Sequence, residues 1–126
     1  MRRVVFLIAA SLALAEPPAD VLKFLSSAAE ALADGDPRAF LAKFDRKMPG
    51  YAALRDEIEG LLAAHEVGST IEVVNDEGDN QKRTLELDWL LSITGVGQRR
   101  QIVKCKIEHQ GKEWKITALD PVEFLK

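Results

Sequence analysis

The chain has 126 residues, 47% of them hydrophobic and 29% charged. That is enough for one domain with a modest core and too apolar for wholesale disorder. The formal net charge of −3 lacks the basic footprint of nucleic-acid binders and of domains that coat anionic membranes. Cys105 is the only cysteine, so no internal disulfide can form and the core must stabilise the domain unaided.

The first residues read as an address. Met1-Arg2-Arg3 is basic, Val4 to Leu14 is apolar, and Ala13-Leu14-Ala15 has the small-x-small form of a cleavage site. This layout predicts a secretory signal peptide over 1–15, cut near Ala15, and a single mature domain over 16–126. The apolar run of eleven residues falls short of the ~20 that a spanning helix needs, so no stable membrane insertion is expected after cleavage. The cleavage point carries no cysteine, so a lipid-anchored form is not indicated. The mature product is expected to be secreted or periplasmic. Without Arg2 and Arg3 it has 15 basic and 20 acidic residues, a net charge of −5, and nucleic acid is not an expected partner.

Glu16-Pro17-Pro18 is an extended leader into a helix over 19–34. Val21, Leu25, Ala28 and Leu32 recur there at helical spacing, with Leu22, Phe24 and Ala29 beside them. Gly35 stops this helix, and Asp36-Pro37 starts another at once, with Asp as N-cap and Pro in the first turn. The second helix carries Phe40, Leu41 and Phe44. After the polar breaker Asp45–Gly50, a third helix is expected from Tyr51 to Ala64. It aligns Leu54, Ile58, Leu61 and His65, with Arg55 and Glu59 as a surface pair.

Beyond Gly68 the period changes from 3.6 to 2. A short first strand is expected at Thr70–Val74, followed by an exposed hairpin loop over Asn75–Asn80. The second strand, Gln81–Ile93, alternates Leu85, Leu87, Trp89 and Leu91 against Thr84, Glu86, Asp88 and Ser92. After a turn at Thr94–Gly97, the third strand, Gln98–His109, sets Val103, Cys105 and Ile107 against Ile102, Lys104, Lys106 and Glu108. Gln110-Gly111-Lys112 turns into a fourth strand with Trp114, Ile116 and Ala118 on the inner side. Asp120-Pro121 opens a last turn ending in Phe124-Leu125. Together these elements predict an α+β fold: three N-terminal helices packed on a curved four-stranded antiparallel meander.

The Ala-rich first helix ending in Ala33-Asp34-Gly35-Asp36-Pro37-Arg38-Ala39-Phe40, the third helix, the long meander and the closing Trp114-Lys115-Ile116 resemble the nuclear transport factor 2-like superfamily. That group is the cone fold of ketosteroid isomerase-like and SnoaL-like proteins, and the resemblance covers almost all of residues 19–125. It implies a sheet wrapped around helices, often with an apolar pocket between them. In such a pocket Tyr51, Leu87, Trp89, Cys105 and Trp114 are expected to line the wall. It also implies functions from isomerase, dehydratase and cyclase to non-catalytic binding, so fold alone does not choose among them. The brief first strand would reduce the pocket mouth.

Enzymes of this fold place a carboxylate, often with Tyr or His, inside the cone. Here Glu86 and Asp88 alternate against the apolar face and are expected to face water, beside Lys104, Lys106 and Lys115. The inner face then holds no general acid or base of ordinary strength, and no catalytic residue is assigned. Cys105 is read as a small buried hydrophobe, the alternative being a reactive or intermolecularly paired thiol. His65 and His109 lack metal-ligand spacing, Asn75–Asn80 lacks that of a calcium loop, and no phosphate-cradling glycine motif precedes a helix. No metal and no cofactor are expected.

The expectation is an exported non-catalytic domain that binds an apolar small molecule or an envelope protein partner. Homodimerisation through the sheet is frequent in the resembled superfamily, and the charged outer face here disfavours a large buried contact, although Leu90, Ile102 and Leu119 interrupt it. One alternative is a small cofactor-free isomerase or cyclase-like enzyme using Asp45, Tyr51 or His65 around an apolar cavity. The other is a purely structural interaction module.

Overall fold

The computed structural model describes residues 17–125; the expected leader over 1–15 lies outside the described residues. Pro18 caps helix α1 (Ala19–Ala33) and accepts from the backbone N–H groups of Val21 and Leu22 at 3.0 and 3.1 Å. Val21, Leu25, Ala28, Ala31 and Leu32 form its buried stripe. Burying each large side chain contributes about 1.5–3 kcal/mol, more than propensity supplies to a 15-residue helix. Gly35, at φ +69°, closes the helix with N–H bonds from Gly35 to Leu32 and from Asp36 to Ala31.

The Asp36 carboxylate accepts from Ala39 N–H at 3.0 Å and nucleates helix α2 (Pro37–Leu41). Phe44 lies beyond the end of α2 and makes a parallel bridge to Ile116. Asp45 N–H donates to Ile116 O, and Ile116 N–H donates to Lys43 O, each at 2.8 Å. The connection between α2 and α3 (Tyr51–Ala64) therefore covers backbone groups on the outer edge of the sheet, which would otherwise template foreign strands.

The sheet is an antiparallel meander in the order β1 (Val67–Gly78), β2 (Lys82–Ile93), β3 (Gly97–Gln110), β4 (Glu113–Asp120). A short 3-10 turn, Val122–Leu125, follows the cis Asp120–Pro121 bond and buries Phe124 and Leu125. The α+β plan expected from the sequence is the observed one. Leu85, Leu87, Trp89 and Leu91 are buried, as are Val103, Cys105, Ile107, Trp114 and Ile116.

Three expectations are corrected, two of them by bulges. The first strand is not brief. It runs for 12 residues, and only Asp79–Gln81 separates it from β2. Val73 pairs with Leu87 but Asn75 with Glu86, so Val74 bulges and shifts the alternation by one residue. In β4, Lys106 pairs with Ala118 and Ile107 with Ile116, leaving Thr117 as the extra residue. Ala118 is therefore only half-buried, and Leu119, expected on the outer face, is buried. The third correction concerns α3: Arg55 meets Asp56 at 3.3 Å on the surface, and no ion pair with Glu59 is among the described contacts.

Candidate functional site

The phase of the sheet decides what can face the interior. Glu86 and Asp88 lie on the outer side, and Asp88 takes Arg100 as its partner in place of the lysines (Nε–Oδ1 3.0 Å, Nη2–Oδ2 2.6 Å). The Arg100 guanidinium holds the Asp88 carboxyl below its usual value, so this acid is an ionised surface partner. Among the described residues no polar or charged residue is fully buried in the core.

Aromatic rings occupy the space between sheet and helices. Phe40 lies 5.2 Å from Phe44 and 6.4 Å from Trp89, and Trp89 lies 5.7 Å from Phe124, measured between ring centroids. The Trp89 indole N–H donates to Ser69 Oγ at 3.0 Å, satisfying its one polar atom. Of the expected pocket-lining residues, Leu87, Trp89, Cys105 and Trp114 are packed in this core, and Tyr51 lies half-buried at its margin. Burial pushes the Cys105 thiol up to about 12, so a thiolate is not available for chemistry at neutral pH.

Asp45, Tyr51 and His65 divide between two sites. His65 ends α3, where its backbone N–H reaches Leu61 O and its Nδ1 lies 3.0 Å from Thr94 O. Because a carbonyl only accepts, Nδ1 carries the proton there. His65 borders a shallow groove of about 360 Å³ between α3 and the β2–β3 turn. Asp45 and Tyr51 meet in a larger groove of about 700 Å³, along the β4 edge between α2 and α3. Asp45 Oδ1 accepts from Lys47 N–H and Oδ2 from the Gln110 amide, each at 2.8 Å. These two donors hold the carboxyl below its usual value. It is an engaged anchor, kept ionised by donors of its own chain, which makes it a weaker base than a free carboxylate.

The same groove collects Arg38 from α2, Arg46 and Lys47 from the connection, Arg55 from α3 and Lys115 from β4. Sequence reading did not bring these five together, because they come from four separate segments. Only the adjacent Arg46-Lys47 was a local signal.

A second polar cluster, also missed, sits where the sheet meets the start of α1. The Val74 bulge turns Asp76 to the inner side opposite Leu85, on the face that also carries Arg83. Arg83 grips Asp76 with two bonds of 2.9 Å and donates a third to Asp79 O at 2.9 Å. Nearby, Trp114 Nε1–H donates to Asp20 Oδ2 at 2.9 Å, and His109 stacks on Trp114 at 4.0 Å while its Nδ1 lies 2.7 Å from Asn80 O. The indole hydrogen bond is the main cause that lowers the Asp20 carboxyl. Every carboxylate and ring nitrogen named here already has a partner that ties one element to another.

Among the described residues no group of three or more His, Cys, Asp or Glu could hold a metal ion. No described helix is long and apolar enough to cross a membrane.

No family model matches the chain, and no curated protein matches it. Solved structures do. Bd1075 of Bdellovibrio bacteriovorus superposes with a TM-score of 0.70 at 14% identity, over 80% of this chain and 39% of its own. This chain thus spans well under half of that protein. An NTF-2-like protein of unknown function from Shewanella oneidensis gives 0.65 at 14% identity, covering 79% of this chain and 93% of its own. A protein of Novosphingobium aromaticivorans, proposed as a scytalone dehydratase, gives 0.65 at 11% identity, covering 79% and 78%. At such identities the likeness concerns the path of the backbone, and on that basis the chain has the nuclear transport factor 2-like fold.

Proposed function

We propose that the chain is an exported, non-catalytic binding domain that engages a protein partner of the cell envelope through its surface. The observation that carries this reading is the run of rings Phe44–Phe40–Trp89–Phe124 between helices and sheet, with no polar or charged residue in the buried core among the described residues. A proton-transfer site inside the cone needs a titratable group within reach of its substrate, and these rings offer none. The same packing weighs against an apolar ligand held among Leu87, Trp89, Cys105 and Trp114. The enzyme alternative draws on the structural likeness to a proposed scytalone dehydratase. Against it, Asp45 and Tyr51 share a groove that is open to solvent, and both Asp45 oxygens are engaged. Export rests on the basic-apolar-small pattern of residues 1–15.

Native mass spectrometry of the protein purified from its own envelope fraction tests the reading. The expected result is a chain beginning at Glu16 that retains a polypeptide and no small molecule. A retained apolar compound, or an unprocessed chain in the cytoplasm, would overturn it.

A further inference from the structure

The geometry points to the groove between α2, α3 and the β4 edge as a docking site for an acidic polypeptide segment. This inference rests on the reading of the domain as a binding module and names the surface and the chemistry of its partner. The groove reverses the charge of the molecule around it. The mature chain carries 15 basic and 20 acidic residues, yet this one concavity gathers Arg38, Arg46, Lys47, Arg55 and Lys115 against Asp45 and Glu59.

These cations are largely uncommitted. No salt bridge joins Arg38, Arg46 or Lys47 to an acid among the described residues. Among the described residues Arg55 pairs with Asp56, at 3.3 Å, and both side chains are solvent-exposed, so that pair exchanges readily. Lys115 Nζ donates to Ala42 O at 2.6 Å and stands 3.9 Å from Glu113, which fixes its ammonium at the groove wall. Asp45 and Glu59 set two negative charges against five positive ones, so the groove keeps a net positive charge.

Shape and chemistry select the occupant. About 700 Å³ is the size of a site for a compact ligand or a short run of side chains (about 300–1,000 Å³). The three guanidinium groups match planar carboxylates through paired N–H donors, while Tyr51 gives the wall an aromatic element of the kind enriched at protein interfaces. A flat anionic bilayer reaches the rim of such a concavity and not its floor. A long polyanion would also run onto the acidic remainder of the surface, which repels it. A short acidic segment with one apolar side chain meets neither obstacle.

The test uses a fluorescein-labelled peptide of six glutamates around one phenylalanine, with fluorescence anisotropy read on the mature domain. The expected result is saturable binding that weakens with salt and falls at least tenfold in R46E/K47E. K104E/K106E changes net charge equally on the outer sheet face and should bind within twofold of wild type. Unaltered urea midpoints show that both variants are folded. No binding at low salt, equal weakening in both double variants, or groove-dependent binding of phosphatidylglycerol vesicles in place of the peptide would overturn the inference. If the native partner is retained by R46E/K47E, the binding-domain reading stands and this groove is removed from it.

Discussion

Replacing Arg83 with Met probes the Arg83–Asp76 ion pair, which lies on the inner side of the sheet. The Arg83 and Asp76 side chains are 12% and 8% exposed, and Arg83→Met strands a carboxylate that has lost two bonds of 2.9 Å. Breaking a fully buried pair this way costs about 3–5 kcal/mol. This pair sits at the end of the sheet, and the water that still reaches it lowers the expected cost to about 2–3 kcal/mol. Met retains most of the apolar stem, so little of that figure is lost packing. Urea unfolding followed by tryptophan fluorescence should show a midpoint lower by about 0.7–3 M, for a slope of about 1–3 kcal/mol/M. The double variant D76V/R83M removes both charges, and an apolar replacement of a buried pair is often neutral. It should recover to within about 1 kcal/mol of wild type. If Arg83→Met costs less than about 0.5 kcal/mol, or the double variant is worse than the single, the pair does not hold the β1–β2 end as described.

Other perturbations reach separate parts of the fold. Gly78 has φ +140°, and a Cβ there would meet Lys82 O and lie 2.7 Å from Arg83 Cα. Gly78→Ala should therefore cost roughly 2–4 kcal/mol in the same urea assay. Cys105, with its thiol pushed up to about 12, should not react with Ellman's reagent in the native state at about pH 8, and should react fully once unfolded. The Asp20 carboxyl lies below its usual 3.8 chiefly through the Trp114 indole. A depressed folded-state value gives stability that is complete above the ordinary value and lost as pH falls through the depressed one. The stability gap between wild type and Asp20→Asn should accordingly be widest near neutrality and close below about pH 4.

The inner face of β2 and β3 was legible because period-two alternation is a property of the backbone, and no bulge interrupts Leu85–Leu91 or Val103–Ile107. The alternation failed wherever one residue was inserted. Thr117 exchanged Ala118 for Leu119, and Val74 carried Asp76 to the inner side. Bulges leave no compositional mark, so nothing in those residues announced them. The polar run Asn75–Gly78 reads as a loop by propensity, yet it stays extended because Arg83 on the next strand neutralises Asp76. That stabilisation is tertiary and invisible to a local window. The helix boundaries were readable from Gly35, Asp36 and Pro37, whose effects are local. The basic groove was not, because four distant segments contribute to it.

A non-catalytic surface-binding domain requires an interior filled by its own side chains. A crystal of the mature domain pressurised with xenon tests this most directly, because xenon enters dry apolar cavities and has no place in a packed core. The expected electron density shows no xenon among Trp89, Cys105, Trp114 and Phe124. An occupied xenon site there would reveal an apolar chamber between sheet and helices, and would return the ligand-binding and enzymatic readings to the interior of the cone.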